Sequence, residues 1–228
     1  MKSLARKIIA GGPGRPTRFH TERGERIPLQ EFRHLPAAAF HKIVTLMTGR
    51  RKENPWWPLS VIPIIESHLD SHKDVIEFGS GGSTIWLAGR ANRVIAVEDN
   101  LEWHSKVRSR LIDLGYTNAD VRHSTGDDYY NLDFVRGQSF DLAVVDGSYR
   151  WKCIESVLPL MRSGSIIYLD NSDSDKDYRF YTDPQMRMQA QRHLEQYANN
   201  HPGSYLERHV GLISGEVQAG EGMILRVA

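Results

Sequence analysis

The stretch that decides the fold is DVIEFGSGGST, at residues 74–84. Its first part, up to Phe78, predicts a buried strand, and the letters IWLA at residues 85–88 predict the first turns of a helix. A strand that passes through a glycine-rich turn into a helix is typical of α/β proteins that hold a nucleotide-like ligand. Glycines let the backbone approach such a ligand closely, and the helix start offers N–H groups with partial positive charge. The stretch therefore predicts an α/β fold with a ligand site at this turn.

Length, charge and cysteine content narrow the class of protein. With 228 residues the chain is long enough for one sizeable domain with its own core. The 29 Lys and Arg residues against 28 Asp and Glu residues give a net charge of +1, so we expect no nucleic-acid partner. The single cysteine, Cys153, and the lack of an apolar run long enough for a membrane span predict a cytoplasmic protein with no membrane partner.

Four continuous apolar runs predict the central strands. Continuous rather than alternating runs are typical of strands that are covered on both faces, as in a parallel sheet. Helical patterns separate the runs, which favours a doubly wound α/β sheet with helices on both faces. The four runs lie at residues 75–78, 94–97, 142–145 and 166–169.

Helix signals and a terminal hairpin complete the predicted fold. Asn100 is a predicted N-cap, and Gly115 a predicted stop, for one helix between the strands. Cys153 lies beside the apolar face of another helix, so we interpret it as a packing residue. Two final strands, at residues 205–213 and 222–227, flank a glycine-containing turn and predict an antiparallel hairpin at the sheet edge.

The first 54 residues form a predicted N-terminal extension. About 30 residues rich in Gly, Pro and Arg predict a flexible arm, and apolar residues at helical spacing from Phe32 to Met47 predict a helix. This extension, residues 1–54, is a candidate lid over a domain at residues 55–228. Trp56 and Trp57 follow it, and two interpretations stay open: an aromatic wall of a pocket, or a cap on the core.

The glycine turn departs from the known phosphate-binding motifs. Gly79 and Gly81 fit a dinucleotide fingerprint, but Thr84 stands where its last small residue belongs, and the Lys of a phosphate-binding P-loop is missing. Glu77 precedes the glycines, and a carboxylate that faced the ligand would repel a pyrophosphate. We therefore expect a ligand with a positive charge and no phosphates.

The second predicted strand ends in Glu98 and Asp99, about 20 residues after the glycines, where an acid can accept hydrogen bonds from ribose hydroxyls. A ligand with a ribose, a positive charge and no phosphate matches S-adenosylmethionine, which combines an adenosine, an ammonium and a sulfonium. A nicotinamide cofactor, which would use the same turn and the same acid, is the alternative.

With these motifs the sequence resembles the class I (Rossmann-like) S-adenosylmethionine-dependent methyltransferases. EFGSGGST at residues 77–84 is similar to the E-F-G-S-G-x-S-T form of their first motif, and residues 140–146 are similar to their fourth-strand motif. Gly126 and Asp127 resemble the motif after the third strand, whose Asp contacts the adenine; the alternative for Asp127 is an ordinary turn residue. The resemblance implies cofactor-binding roles for Glu77, Gly79, Ser80, Gly81, Ser83, Thr84, Glu98, Asp99, Asp127 and Asp146.

The ends of the fourth and fifth predicted strands carry the candidate reaction centre. Asp146, Asp170 and Asn171 resemble the three metal ligands of the cation-dependent O-methyltransferases of the catechol and caffeoyl type, which implies a divalent cation such as Mg²⁺. Tyr149 stands where those relatives carry a Lys. The metal is therefore one alternative; without it, Asp146 is the candidate catalytic base, or it orients the methionine end of the cofactor.

The remaining candidates concern the acceptor. Tyr149, Arg150 and Asp170 are the predicted substrate contacts, together with a loop that holds Arg179, Phe180 and Tyr181. We predict a doubly wound, mostly parallel seven-stranded sheet and an S-adenosylmethionine-dependent O-methyltransferase acting on a small-molecule acceptor. The alternatives are a nicotinamide-dependent oxidoreductase and a non-catalytic cofactor-binding protein. The sequence leaves the oligomeric state open, a homodimer included.

Overall fold

One mixed β-sheet forms the centre of the molecule. The computed structural model describes residues 10–11, 15–48, 53–173 and 188–228, and within these ranges the sheet has seven strands. The strands are β1 (Asp74–Phe78), β2 (Arg93–Glu98), β3 (Ala119–His123), β4 (Phe140–Val145), β5 (Met161–Asp170), β6 (Tyr205–Leu212) and β7 (Ala219–Arg226). The α-helices of the same ranges are α1 (Leu35–Thr48), α2 (Ile62–His68), α3 (Gly82–Ala88), α4 (Leu101–Asp113), α5 (Arg150–Val157) and α6 (Gln189–Asn200).

The order of the strands across the sheet is β3-β2-β1-β4-β5-β7-β6. Strands β1 to β5 pair in parallel, and β7 pairs antiparallel with both β5 and β6. Parallel strands place their carboxyl ends along one edge, so the segments that follow β1 to β5 lie at the same edge of the sheet. The predicted doubly wound, mostly parallel seven-stranded sheet with an antiparallel C-terminal hairpin is confirmed.

Helices cover both faces of this sheet. On one face Ile76 and Phe78 of β1 belong to a core that includes α5 and α6, and on the other face Val75 belongs to a core that includes α2, α3 and α4. Side chains alternate between the two faces of a strand, so burial on both faces requires every position to be apolar. This explains why the central strands are visible in the sequence as continuous apolar runs.

Local sequence signals located some elements and missed others. Asn100 caps α4 as predicted, because its side chain accepts a hydrogen bond of 2.9 Å from the backbone N–H of Trp103. Gly115 follows the helix with a positive φ of 76°, as expected of a stop. Strand β3 has no apolar run, since only Val121 is buried in an edge strand that is otherwise polar.

The two adjacent tryptophans have different environments. Trp57 is fully buried and packs against Trp86 and Tyr168, with ring centroids 6.0 and 4.8 Å away. Trp56 is 41% exposed and lines a cavity described below. Each of the two interpretations of the pair therefore holds for one residue.

The described part of the N-terminal extension is fastened to the C-terminal hairpin. Arg15 donates a hydrogen bond of 2.7 Å to the carbonyl of Ala219, whose own N–H donates to the carbonyl of Arg18. Ile27 and Ala38 share a small apolar cluster with both hairpin strands. Residues 15–48 are thus packed against the sheet domain, whereas residues 1–9, 12–14 and 49–52 of the predicted extension lie outside the described residues.

A buried ionic cluster joins this N-terminal segment to the hairpin. Glu221 of β7 is fully buried and lies 2.7 Å from the guanidinium of Arg208 on β6. Arg208 also pairs with Glu25, and Arg23 lies 3.7 Å from Glu221. The hydroxyl of Ser172, just after β5, donates a hydrogen bond of 2.8 Å to the same carboxylate. One buried charge therefore holds three segments together.

Helix α1 follows the predicted helical spacing, but its apolar side chains are mostly exposed. Ala38 is buried, whereas Phe40, Ile43, Leu46 and Met47 are all more than half exposed. Helix α6 begins at Gln189, close to the start of the described residues 188–228. No helix among the described residues combines the length and the apolar character that a membrane span requires.

Candidate active site

The glycine turn after β1 meets the loop after β4, backbone against backbone. Gly79 has a positive φ of 90°, and a Cβ atom on it would lie 3.0 Å from the Cα atom of Gly147. A Cβ atom on Gly147 would overlap the hydroxyl of Tyr129 and lie 2.8 Å from the backbone N of Gly79. Neither contact leaves room for a side chain, so this pair of glycines fixes the distance between the two loops.

Glu77, a predicted cofactor-binding residue, holds the start of α3 from a buried position. It is fully buried, and its two carboxyl oxygens accept hydrogen bonds of 2.5 and 2.6 Å from the hydroxyls of Ser83 and Thr84. Thr84 is also fully buried, and its hydroxyl accepts a bond from the N–H of Gly81. The alternation of β1 turns Glu77 toward the face that α3 covers, which is the physical reason for its burial.

Burial changes the protonation of Glu77. Removal of the carboxyl from water raises the pKa of Glu77 to about 8, although the hydrogen bonds from Ser83 and Thr84 act in the opposite direction. At neutral pH the side chain is therefore largely protonated, and it contributes hydrogen bonds to the turn without a full negative charge.

Glu98 ties the end of β2 to the glycine turn. One of its oxygens accepts bonds of 2.8 and 2.9 Å from the N–H and the hydroxyl of Ser80, and the other accepts a bond of 3.0 Å from the N–H of Asn100. A carboxylate offers about four acceptor positions, so these bonds leave room for a further donor. The residue occupies the predicted place at the strand end.

The loop after β4 reaches across to the end of β2. Ser148 donates a hydrogen bond of 2.7 Å to the Asp99 carboxylate, and the thiol of Cys153 donates to the carbonyl of Ser148. Tyr149 has a positive φ of 50°, and its ring packs between Tyr129 and Tyr130, with centroids 5.9 and 5.7 Å away. Tyr149, a predicted substrate contact, is thus part of a tyrosine cluster.

Asp127 lies apart from the rest of the predicted cofactor residues. It is exposed, accepts a hydrogen bond from the hydroxyl of Tyr130, and lines a separate surface cavity of about 520 Å³. This hydrogen bond raises the pKa of Tyr130 to about 12. The turn that carries Asp127 is the predicted one, and Gly126 opens it with a positive φ of 59°.

A cavity of about 400 Å³ joins the glycine turn to Asp146. Trp56 and Trp103 form aromatic walls, and the indole N–H of Trp103 donates a hydrogen bond of 2.5 Å to the carbonyl of Ser80. The full lining consists of Glu53, Asn54, Trp56, Ser80, Gly81, Gly82, Ser83, Ile85, Trp103, Lys106, Val107, Arg110 and Asp146. Of the predicted cofactor residues, the structure brings Ser80, Gly81, Ser83 and Asp146 together here.

The α4 side of the cavity was not foreseen from the sequence. Trp103 lies one turn before the buried Val107 of α4, but it is 46% exposed and turns toward the glycine turn. Lys106 and Arg110, which also line the cavity, are paired with Glu102 and Glu53 respectively. Spacing of three and seven residues from Trp103 is the signal that could have placed all three on one face.

Two acidic groups meet at the carboxyl ends of β4 and β5. The side chains of Asp146 and Asp170 lie close enough to interact electrostatically. Burial, and then the neighbouring Asp146 carboxylate, raise the pKa of the Asp170 carboxyl well above its usual range. Tyr168 also donates a bond of 2.6 Å to Asp170, which is buried, whereas the Asp146 side chain is 29% exposed to the cavity.

Arg150, a predicted substrate contact, is buried at this edge of the sheet. Its guanidinium donates to the carbonyls of Gly147, Asp146 and Asp170 and lies 3.4 Å from the Asp146 carboxylate. Asp170, the other buried member of the predicted substrate contacts, is enclosed by these same groups. Arg179, Phe180 and Tyr181 lie outside the described residues.

The residues at this edge do not fit the predicted Mg²⁺ site. A divalent cation needs several available oxygen ligands, whereas the guanidinium of Arg150 already lies beside the Asp146 carboxylate and donates to the backbone carbonyl of Asp170. Asn171 has a positive φ of 44° in the turn after β5. Within the described part of the chain, no group of three or more His, Cys, Asp or Glu side chains is arranged to hold a metal ion.

Comparison with known proteins identifies the fold. No protein-family model matches the chain, and a comparison with curated proteins also gives no match. Among solved structures, an O-methyltransferase from Bacillus cereus in complex with S-adenosylhomocysteine (SAH) superposes with a TM-score of 0.60 at 18% identity, over 85% of this chain and 91% of that one. The O-methyltransferase TomG from Streptomyces achromogenes, in complex with S-adenosylmethionine (SAM), gives 0.61 at 17% identity, over 84% and 89%.

A third similar structure is that of an RNA methylase. It is an rRNA methylase from Streptococcus thermophilus, with a TM-score of 0.53 at 19% identity over 74% of this chain and 95% of that one. At these identities the similarity shows the fold alone. The chain therefore has the Rossmann-like methyltransferase fold, with its cavity at the edge where the carboxyl ends of the parallel strands lie.

Proposed function

We propose that this protein is a SAM-dependent methyltransferase that transfers a methyl group to a hydroxyl oxygen of a small molecule. The observation that carries the proposal is the cavity of about 400 Å³ that joins the glycine turn to Asp146 within a methyltransferase fold. Two similar structures with this fold, both O-methyltransferases, were solved with SAH and SAM.

The described residues fit the two ends of SAM. The partly exposed carboxylate of Asp146 is a partner for an ammonium group, and Gly81 leaves the turn open, since the nearest atoms to a Cβ there are 3.8 Å away on Trp103. Glu98 retains an acceptor position for a ribose hydroxyl. When bound, SAM supplies the activated methyl group.

The adenine contact proposed for Asp127 requires a rearrangement. Strands β2 and β1 lie between β3, which precedes Asp127, and β4, which precedes Asp146. A ligand that touched both residues would cross the carboxyl ends of β2 and β1, which the hydrogen bond between Ser148 and Asp99 spans. We therefore expect this bond to open when the adenine binds, with Asp99 becoming its neighbour.

Asp146 is the proposed catalytic residue. Its carboxylate lines the cavity together with the glycine turn and lies next to Asp170. From this position it would accept the proton of an acceptor hydroxyl, or orient the ammonium of the cofactor. Asp146→Asn distinguishes the two roles: loss of turnover with unchanged SAH affinity supports the base, and a matching loss of SAH affinity supports the orienting role.

Calorimetric titration of the full chain with SAH, and separately with NAD, tests the class of enzyme. We expect SAH to bind at one site and NAD not to bind. Binding of NAD alone would overturn the proposal in favour of an oxidoreductase.

The acceptor is tested with methyl-labelled SAM against small hydroxyl compounds and against ribosomal RNA in parallel. We expect label in the small compounds, and the rRNA methylase neighbour makes the RNA arm necessary. Label in RNA alone would replace the small-molecule acceptor with a nucleic acid. SAH binding with no transfer to either would favour a non-catalytic cofactor-binding protein.

A further inference from the structure

The guanidinium of Arg150 occupies the position where the sequence predicts a metal ion. Its Nε atom donates a bond of 3.0 Å to the carbonyl of Gly147, and Nη1 donates to the carbonyl of Asp170. Nη2 lies 3.3 Å from the carbonyl and 3.4 Å from the carboxylate of Asp146. All three nitrogens of the fork therefore engage the carboxyl ends of β4 and β5.

Through these contacts Arg150 supplies a positive charge at the carboxyl ends of β4 and β5. A guanidinium keeps its charge at every accessible pH, and its planar fork holds several acceptors in fixed positions. The side chain is buried, and a buried charge needs a partner of opposite sign, which Asp146 supplies. The same guanidinium would repel a second cation brought between Asp146 and Asp170.

The contacts of Asp170 are a second argument against a metal ion at this edge. The Asp170 carboxyl accepts a hydrogen bond of 2.6 Å from the hydroxyl of Tyr168, so one of its oxygens is already engaged. Its backbone carbonyl, which could serve as an oxygen ligand, is taken by Arg150. A divalent cation would have to displace the hydrogen bonds that Tyr168 and Arg150 donate to Asp170.

We propose that Arg150 is a positioning residue that serves as the resident counter-cation of Asp146 and Asp170, so that the acceptor is methylated at this edge without a divalent cation. The inference rests on the proposed methyltransferase function, because it states how the reaction edge of that enzyme is neutralised. It also defines the acceptor: its hydroxyl is engaged by hydrogen bonds to Asp146, and it needs no pair of oxygens to chelate a metal.

The test is Mn²⁺ binding to the full chain, followed by electron paramagnetic resonance in the presence of SAH. For the natural protein we expect no stoichiometric site tighter than about 1 mM, a weak affinity on the scale of protein sites for divalent cations. Arg150→Met should create such a site, because two carboxyl groups then lack their cation. The double variant Arg150→Met/Asp146→Asn should lose it again. A purely structural arginine would not give this gain and loss.

A tight Mn²⁺ site in the natural protein that Asp146→Asn abolishes would overturn the proposal. A tight site that survives Asp146→Asn lies elsewhere and leaves the edge free of metal, as proposed. If thermal unfolding shows that Arg150→Met does not fold, the test uses Arg150→Lys and the natural protein instead. Arg150→Lys keeps the positive charge but lacks the planar fork. It should therefore still exclude Mn²⁺, while its SAH binding should be at least threefold weaker. Retained SAH affinity in Arg150→Lys would contradict the positioning role.

The Mn²⁺ result and the SAH result are independent. Absence of SAH binding to the natural protein would reject the proposed function, whereas SAH binding together with an Asp146-dependent Mn²⁺ site would reject only the counter-cation.

Discussion

Gly79 and Gly147 allow two loops to meet at a distance that a side chain would prevent. We predict that Gly79→Ala destabilises the protein and weakens SAH binding more than Gly137→Ala does. Both glycines have a positive φ, of 90° and 80°, so both variants lose about 1–2 kcal/mol for the backbone conformation. Only the new Cβ at Gly79 also meets a neighbour, because nothing lies within 4 Å at Gly137.

Urea unfolding and SAH calorimetry of the two glycine variants measure this difference. Equal losses would mean that the contact between the two loops contributes nothing beyond the conformational cost.

Glu77 gives a prediction about pH. Its pKa rises from 4.5 to about 8 on folding, so the folded state binds more protons than the unfolded state between these values. The contribution of Glu77 to stability is therefore complete below about pH 4.5 and falls, by about 1.4 kcal/mol per pH unit, as the pH rises toward 8. Glu77→Gln should remove this fall.

The measurement for Glu77 is urea unfolding at several pH values between 5 and 8, for the natural protein and Glu77→Gln side by side. The variant should gain relative stability as the pH rises. A difference that does not change with pH would show that the buried carboxyl ionises as it does in water.

The acidic residues near the strand ends show which features of a site a sequence can predict and which it cannot. The pattern located Glu77, Glu98 and Asp146 at strand ends, since strand ends follow from apolar runs. It could not predict that Glu77 turns inward and binds Ser83 and Thr84, because this depends on which face α3 covers. The position of a residue along a strand follows from the sequence, whereas the environment that its side chain faces depends on how the helices pack on the sheet.

Among the elements, the hairpin of β6 and β7 depends on a buried charge. Arg208→Met removes the closest partner of Glu221 and should destabilise the protein by about 3 kcal/mol, the lower end for a broken buried pair because Arg23 remains nearby. Arg226→Met is the matched control, since Arg226 pairs with Glu207 across the same two strands, where both side chains are about one-third exposed.

The control variant should lose at most about 1 kcal/mol, as is typical of exposed ion pairs. Chemical unfolding of both variants gives the comparison. Similar losses for the two would indicate that the Glu221 cluster is no more important than a surface pair.

Elements were predictable where one physical signal dominated. Strands β1, β2, β4 and β5 are buried on both faces, so their composition alone reveals them. Strand β3 lies at the sheet edge, where water tolerates polar residues, and its sequence carries no such signal. In α1 the helical spacing was correct, but spacing does not tell whether the apolar side is covered, and most of it is exposed.

For the whole molecule, the proposed cofactor should act as a stabilising ligand. SAH at about 100 times its dissociation constant should add about 2.7 kcal/mol to the free energy of unfolding. For a chain of this size that is a rise in Tm of about 5–10 °C. Differential scanning fluorimetry with SAH measures the shift, with NAD and with Asp146→Asn as comparisons.

NAD should give no shift in this experiment, and Asp146→Asn a smaller one with SAH if Asp146 holds the ammonium. An unchanged Tm at saturating SAH would count against the proposed cofactor.

The cavity shows why the whole site was only partly predictable. Its walls come from Trp56 before α2, from the glycine turn, from α4 and from Asp146 after β4. The turn and the acid have motifs that a sequence can reveal. Trp56 and Trp103 have none, because they reach the cavity only through the way α4 and the segment before α2 pack around the turn.

The position of β7 has a consequence for the order in which the chain is synthesised. Strand β7 follows β6 along the chain but lies between β5 and β6 in the sheet. During synthesis on the ribosome, β6 therefore has no strand to pair with until β7 has also been made. Residues 15–48 are synthesised far earlier, but they pack on β6 and β7, so their packing partners are the last part of the sheet to be made. A nascent chain arrested before Ala219 should leave this early segment open to proteases, while the parallel strands are already protected.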